Sequence, residues 1–113
     1  MAKYTVSDLI LDFVRSLGTE FVFGVPGGAA EPFFNALDAH GKKENGMKVV
    51  LTRAESGAAF AAHGYYKESG NIGFCISTSG PGATNLITGV ASAYADGIPM
   101  LVITAQTSIE KFG

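Results

Sequence analysis

The chain has one cysteine, Cys75, in 113 residues, so no internal disulfide can form. A reducing cytoplasm is the plain expectation. Positive charge is also scarce: eight Lys and Arg against ten Asp and Glu leave a net charge of −2. The basic residues form no cluster, which argues against a nucleic-acid footprint. Apolar runs such as Met100-Leu101-Val102-Ile103 fall far short of the ~20 residues a membrane helix needs. The amino terminus, Met1-Ala2-Lys3-Tyr4, lacks the apolar stretch of a signal peptide. His40, His63 and Cys75 are too dispersed to suggest a zinc site.

With 47% hydrophobic and 16% charged residues, the chain reads as one soluble globular domain with a well-filled core. Glycine is the unusual component. Fifteen are present, about twice the usual share of roughly 7%. They gather at Gly24, Gly27 and Gly28 and again at Gly80 and Gly82, each time just after an apolar run. That placement predicts tight turns where the backbone approaches something closely.

Residues 5–17 read as a helix capped by Thr5 or Ser7, with Leu9, Ile10, Phe13, Val14 and Leu17 on one stripe. A short strand at 21–25 stops at Pro26, and helical spacing resumes over 30–39. The polar stretch from His40 to Gly46 reads as a solvated surface loop. Strands are then expected at 47–52, 72–77 and 100–104, with helices over 54–67 and 83–95 between them. Alternating strands and helices imply an open, mainly parallel α/β sheet with helices on both faces. Val49-Val50-Leu51 and Leu101-Val102-Ile103 are apolar at every position, as strands buried on both sides must be.

Ligands of open α/β sheets sit beyond the carboxyl ends of the strands. There this sequence collects Gly24-Val25-Pro26-Gly27-Gly28, Thr52-Arg53-Ala54-Glu55-Ser56, Thr78-Ser79-Gly80-Pro81-Gly82-Ala83-Thr84-Asn85 and Ala105-Gln106-Thr107. Glu55 is the most oddly placed carboxylate, at a helix start and followed by the small apolar run Gly57-Ala58-Ala59-Phe60-Ala61-Ala62. Alone, it reads more readily as an acid that merely complements the helix dipole, and only the company of the glycine turns favours a site. Ser79-Gly80-Pro81-Gly82 could cradle a phosphate at a helix start, but it lacks the P-loop lysine and the dinucleotide spacing.

Together the segments resemble the thiamine-diphosphate enzymes of the pyruvate oxidase and acetolactate synthase group, and most of all acetolactate synthase. The resemblance rests on Phe23-Gly24-Val25-Pro26-Gly27-Gly28, Arg53-Ala54-Glu55, Phe60-Ala61-Ala62-His63-Gly64-Tyr65, the stretch Thr78 to Asn85, and Asp96-Gly97-Ile98-Pro99. It implies the N-terminal pyrimidine-binding domain over residues 1–113, truncated at its C-terminal end, since four strands are recognisable against about six in the family. It further implies that Glu55 hydrogen-bonds N1′ of the aminopyrimidine and favours the imino form, whose 4′-nitrogen takes the C2 proton. Pro26, Gly27 and Gly28 would line the cofactor's reactive end, while Thr78, Pro81 and Asn85 would surround the aminopyrimidine. The Ser79–Gly82 turn then becomes a pyrimidine wall rather than a phosphate cradle.

By the same resemblance, the diphosphate and its magnesium belong to another domain of the same or another subunit, and no metal ligand is expected here. A homo-oligomer acting on a small 2-oxoacid follows, by decarboxylation and carboligation, and no residue reads for or against a flavin. Many relatives carry histidine where this chain has Ala54, which puts strict pyruvate chemistry in doubt. Gln106 is a candidate on the substrate side. The rival readings are a non-catalytic interaction module and a separate subunit of a split thiamine-diphosphate decarboxylase. Cys75 is expected as a buried core thiol, His63 in an interface or packing role, and Asp96 as a cap or anchor for the turn before Pro99. The alanines at 58, 59, 61 and 62 suit either a subunit interface or internal helix–sheet packing.

Overall fold

The computed structural model describes residues 3–111. Four parallel strands, β1 (Phe21–Gly24), β2 (Lys48–Leu51), β3 (Gly73–Ser77) and β4 (Met100–Thr104), form one sheet in the order β2-β1-β3-β4. The helices are α1 (Val6–Ser16), α2 (Glu31–Gly41), α3 (Glu55–Ser69), α4 (Pro81–Thr84) and α5 (Ile87–Ala95). Short 3₁₀ turns lie at Gly28–Ala30 and Ile109–Lys111. None of the described helices is long and apolar enough to cross a membrane.

Helices cover both faces of the sheet, as the alternation predicts. Strand residues point alternately to the two sides. Val22, Phe74 and Ile76 pack with Leu11 and Val14 of α1, Phe33 and Leu37 of α2, and Met47. Cys75, with Phe23, Met100 and Val102, packs on the other side against Ala58, Ala59 and Ala62 of α3 and Leu86. Three of the four alanines in question therefore serve internal packing, while Ala61 stays partly exposed.

Local chemistry fixes the helix ends. Thr5 caps α1 in a capping box: its hydroxyl accepts from the Asp8 N–H, and the Asp8 carboxylate accepts from the Thr5 N–H. Gly70 closes α3 in the left-handed conformation (φ 77°), which glycine adopts without strain.

Several expectations are corrected. The apolar stripe of α1 is rotated: Leu11 and Val14 face the core, while Leu9, Phe13 and Leu17 remain at least half exposed. Leu9 and Phe13 instead line an apolar groove with Leu101 and Ile103 beside β4. Neither β2 nor β4 is buried on both faces, because both lie at the sheet edges: all four residues of β2 are exposed, and Leu101, Val102 and Ile103 of β4 are only partly covered. The single helix expected over 83–95 is two, separated by Asn85 and Leu86. Both residues keep right-handed dihedrals, but the Leu86 N–H bonds to Ala83, three residues back, and this tighter turn offsets α4 from α5.

His40 is not solvated. It sits in the last turn of α2 and is only 4% exposed. The Met47 N–H donates to its Nδ1 (2.8 Å), so the ring proton belongs on Nε2, which meets Asp12 Oδ1 at 2.8 Å. Tyr4 donates its hydroxyl to the other Asp12 oxygen. The Tyr4 and His40 hydrogen bonds hold the Asp12 carboxyl below its ordinary value of 3.8. A lowered folded-state value means that this contribution to stability is present above pH 3.8 and is lost as the pH falls through the folded-state value. Asp12→Asn should accordingly flatten the acid limb of the stability profile, measured by urea unfolding at stepped pH. An acid limb as steep as wild type would contradict the linkage.

Candidate functional site

The carboxyl edge of the sheet brings the distant glycine turns together. Strand β1 ends at Gly24, which lies against β3 so closely that a Cβ would fall 2.5 Å from the Ile76 carbonyl oxygen. The turn after β1 therefore starts beside the turn after β3. Gly27 then rests on Thr78: a Cβ on Gly27 would lie 2.6 Å from the Thr78 Cβ. From the other side, a Cβ on Gly82 would lie 2.9 Å from the Thr78 Cγ2 and 3.4 Å from Glu55 Oε1. Thr78 is thus held between two glycines, and the second also faces the Glu55 carboxylate.

Glu55 is the first residue of α3. Ala54 precedes it in an extended conformation (φ −141°, ψ 153°) and offers no side-chain cap. The Thr52 hydroxyl donates to the Ala54 carbonyl (2.8 Å), and the Thr52 N–H donates to the Gly24 carbonyl (3.0 Å). These bonds tie the start of α3 to the end of β1. Glu55 is half-buried and sits at the positive end of the helix dipole, which favours its negative charge. Asn85 Nδ2 donates to Glu55 Oε2 at 3.2 Å. The carboxylate thus has Asn85 on one oxygen and Gly82 near the other.

The loop after β3 needs one special conformation. Gly80 has φ 62° and ψ −127° and opens α4, a backbone setting that side chains disfavour. Pro81 follows at the first helical position, where its missing N–H is harmless. Pro81 is exposed at the same rim. The predicted residues fall into two groups. Gly27 with Thr78 and Glu55 with Asn85 meet directly, and Gly82 lies between Thr78 and Glu55 to join the two pairs. Gln106 is separate: it shares a cavity of about 360 Å³ with Gly28, Pro32 and Lys111. Pro26, Gly27 and Gly28 line a neighbouring hollow with Glu31 and Phe34, so Gly28 borders both.

Gly82, expected only as part of a wall formed by the Ser79–Gly82 turn, lies against the Glu55 carboxylate itself. Its signal in the sequence is the repeated glycine two residues after Gly80, but its approach to Glu55, 27 residues earlier in the chain, is visible only in the fold.

Cys75 is fully buried, and burial pushes its thiol up to about 12. That excludes a reactive thiolate at neutral pH. His63 is 7% exposed, with Nδ1 3.2 Å from the Ser92 hydroxyl and Nε2 3.0 Å from Asp96 Oδ2. The latter contact has ion-pair distance but lacks hydrogen-bond alignment. Asp96 caps the end of α5, as expected, and its side chain also ties α5 to α3. Lys67 and then His63 hold its carboxyl below the usual range. Among the described residues, no three His, Cys, Asp or Glu side chains converge as a metal-holding group.

Comparison with known proteins identifies the family to which the chain is similar. The sequence profile of the "Thiamine pyrophosphate enzyme, N-terminal TPP binding domain" family matches residues 4–113. The acetolactate synthase large subunit of Lactococcus lactis is 46% identical over 107 residues, covering 95% of this chain and 18% of the relative. The isozyme 2 large subunit of Escherichia coli is 47% identical over 104 residues, covering 92% and 18%. The acetolactate synthase of Arthrospira platensis is 42% identical over 111 residues, covering 98% and 19%. The chain spans less than a fifth of the length of these relatives.

The glycine contacts discriminate between neighbouring positions. A Cβ on Gly27 collides with Thr78, whereas one on Gly28 meets nothing within 4 Å. Gly27→Ala should destabilise the chain by about 1–3 kcal/mol, and Gly28→Ala by less than about 0.5 kcal/mol. Urea titration of both variants checks this; equal losses would mean that Thr78 is not wedged as described.

Proposed function

The chain belongs to the thiamine pyrophosphate enzymes, as their N-terminal binding domain, and from that membership we propose that it forms the aminopyrimidine-binding half of a thiamine-diphosphate site acting on 2-oxoacids. The observation that carries this reading is the meeting of Glu55, Asn85, Thr78, Gly27 and Gly82 at one rim of the sheet. These residues fit a flat heteroaromatic ring. Gly27 and Gly82 keep their side of the wall shallow around Thr78, and a carboxylate stands at its edge.

When bound, thiamine diphosphate supplies a nucleophilic carbon and an electron sink for cleaving the bond next to a 2-oxoacid carbonyl. The protein's share is position and proton control. In this reading Glu55 accepts the hydrogen bond from N1′ of the aminopyrimidine and so governs where the ring's proton rests. Asn85 holds one Glu55 oxygen by its side-chain amide, which orients the carboxylate and leaves the other oxygen for the ring. Thr78 and Pro81 wall the pyrimidine, and Pro26, Gly27 and Gly28 border the reactive end. Gln106 lies across the cavity from Gly28, on the side where a substrate would approach.

The diphosphate and its magnesium fall to a second domain of the same or another subunit in a homo-oligomer, so that this chain by itself is inactive. The acetolactate synthase relatives favour decarboxylation followed by carboligation as the reaction. Ala54 leaves no histidine beside Glu55 to share in proton transfer, so within this half of the site Glu55 governs the ring's proton.

Positioned acid–base groups commonly contribute ~10²–10⁴-fold to rate. Glu55→Gln in the assembled enzyme should lower kcat on that order while leaving the fold intact, as judged by circular dichroism and steady-state kinetics. Near-normal turnover with unchanged cofactor affinity would sink the assignment and turn attention to a non-catalytic module.

A further inference from the structure

Helices α3 and α5 meet at three levels along a shared face, and one of them bears on Glu55. At the site end, Asn85, just ahead of α5, donates to Glu55. One turn further, Gly89 lies on Ala59. At the far end, Ser92 and Asp96 meet His63. Glu55, Ala59 and His63 are spaced four residues apart, so they stack on one side of α3.

The middle level is the tightest. A Cβ on Gly89 would fall 2.3 Å from the Ala59 Cβ, and 3.1 Å from both the Ala59 carbonyl carbon and the Phe60 nitrogen. Non-bonded carbons settle at about 3.5–4.0 Å. The obstructing atom is a methyl fixed to the α3 backbone, with no torsion that could swing it aside. Any side chain at position 89 must therefore push the two helices apart by more than about an ångström. The Asn85–Glu55 bond stands at 3.2 Å, already at the long end of the usual range for an N–H donor to oxygen, and has no slack to absorb such a shift.

We propose that Gly89 is a positioning residue for Glu55: by letting α5 close onto Ala59, it holds Asn85 within hydrogen-bond reach of the Glu55 carboxylate. Gly89 itself is buried and touches neither the rim nor the cavities beside it. Leu86 and Ala93, on either side of it along the chain, are buried as well, so α5 is held to its underlying layer and a displacement at Gly89 is passed on to Asn85. The consequence for catalysis rests on the role proposed for Glu55, whereas the test is read without cofactor.

The test is nuclear magnetic resonance on the isotope-labelled chain, following the Asn85 side-chain amide and the Glu55 carboxyl carbon at fixed pH. Asn85→Ala defines the Glu55 carboxyl resonance with the bond removed. Gly89→Ala should move that resonance at least halfway to the same place and displace the Asn85 amide signals. The double variant Ala59→Gly/Gly89→Ala removes the methyl clash and should bring both back toward wild type. Leu37→Ala, which disturbs the core on the opposite face of the sheet, should lower stability and leave both signals in place.

Unmoved signals in Gly89→Ala would overturn the proposal. If Gly89→Ala does not fold, the double variant decides: recovery of the wild-type signals supports the proposal, and failure to recover them overturns it. A wild-type rate in Glu55→Gln, together with the expected resonance shifts, would instead refute the catalytic reading and leave the positioning of Glu55 standing.

Discussion

The thickness of one layer governs this structure. Helix α3 packs against both the sheet and its neighbour α5 and is admitted there by the absence of side-chain bulk. Ala58, Ala59 and Ala62 have no exposed surface. At the start of β3, a Cβ on Gly73 would fall 2.0 Å from the Ala62 carbonyl oxygen, so helix and strand backbones are nearly in contact. Such an arrangement gains little from burying large side chains, since alanine and glycine bring little apolar area. It gains accuracy instead, because rigid backbones with few rotamers leave little room for adjustment. The start of α3, and with it Glu55, takes its depth from this packing.

The opposite face of the sheet is built differently. There Leu11, Leu37, Met47 and Phe74 interlock, with Phe33 and Phe74 edge to face at 6.0 Å between ring centres. Large residues carry most of the hydrophobic stabilisation, and nothing on that side needs to be placed to within an ångström. The His40–Asp12 pair and the Met47 N–H close the corner between α1, α2 and β2. The sheet thus separates two tasks: adhesion on one face and alignment on the other.

What the sequence made legible follows from signals that act over short range. Apolar runs ending in glycine or proline mark the strands, and the residues just beyond those runs are the ones that gather at the rim. Glu55 could be found because a carboxylate ahead of a run of alanine and glycine is unusual in its surroundings. The rest depends on partners far away in the chain. His40 reads as solvated because its neighbours are Gly41, Lys42 and Lys43, while Asp12, which engages it, lies on another helix. The uncovered faces of Val49, Val50 and Leu51 follow from the place of β2 at the end of the sheet order, and three apolar residues in a row are the same text at an edge or a centre. The offset at Asn85–Leu86 is hidden because apolar spacing continues through it. The link from Gly89 to Ala59 is hidden because a glycine inside a helix carries no address.

The strand order also sets the schedule of folding. Strand β1 pairs with β2 on one side and β3 on the other, and the β1–β3 register joins Phe23 to Cys75, roughly fifty residues apart. Parallel pairing of this kind cannot begin from a hairpin; the intervening helix must cross before the ladder forms. Here that crossing helix is α3, whose alanines have little adhesive surface of their own, so the pairing that brings Glu55 to the rim must close a long loop with little local attraction to help it.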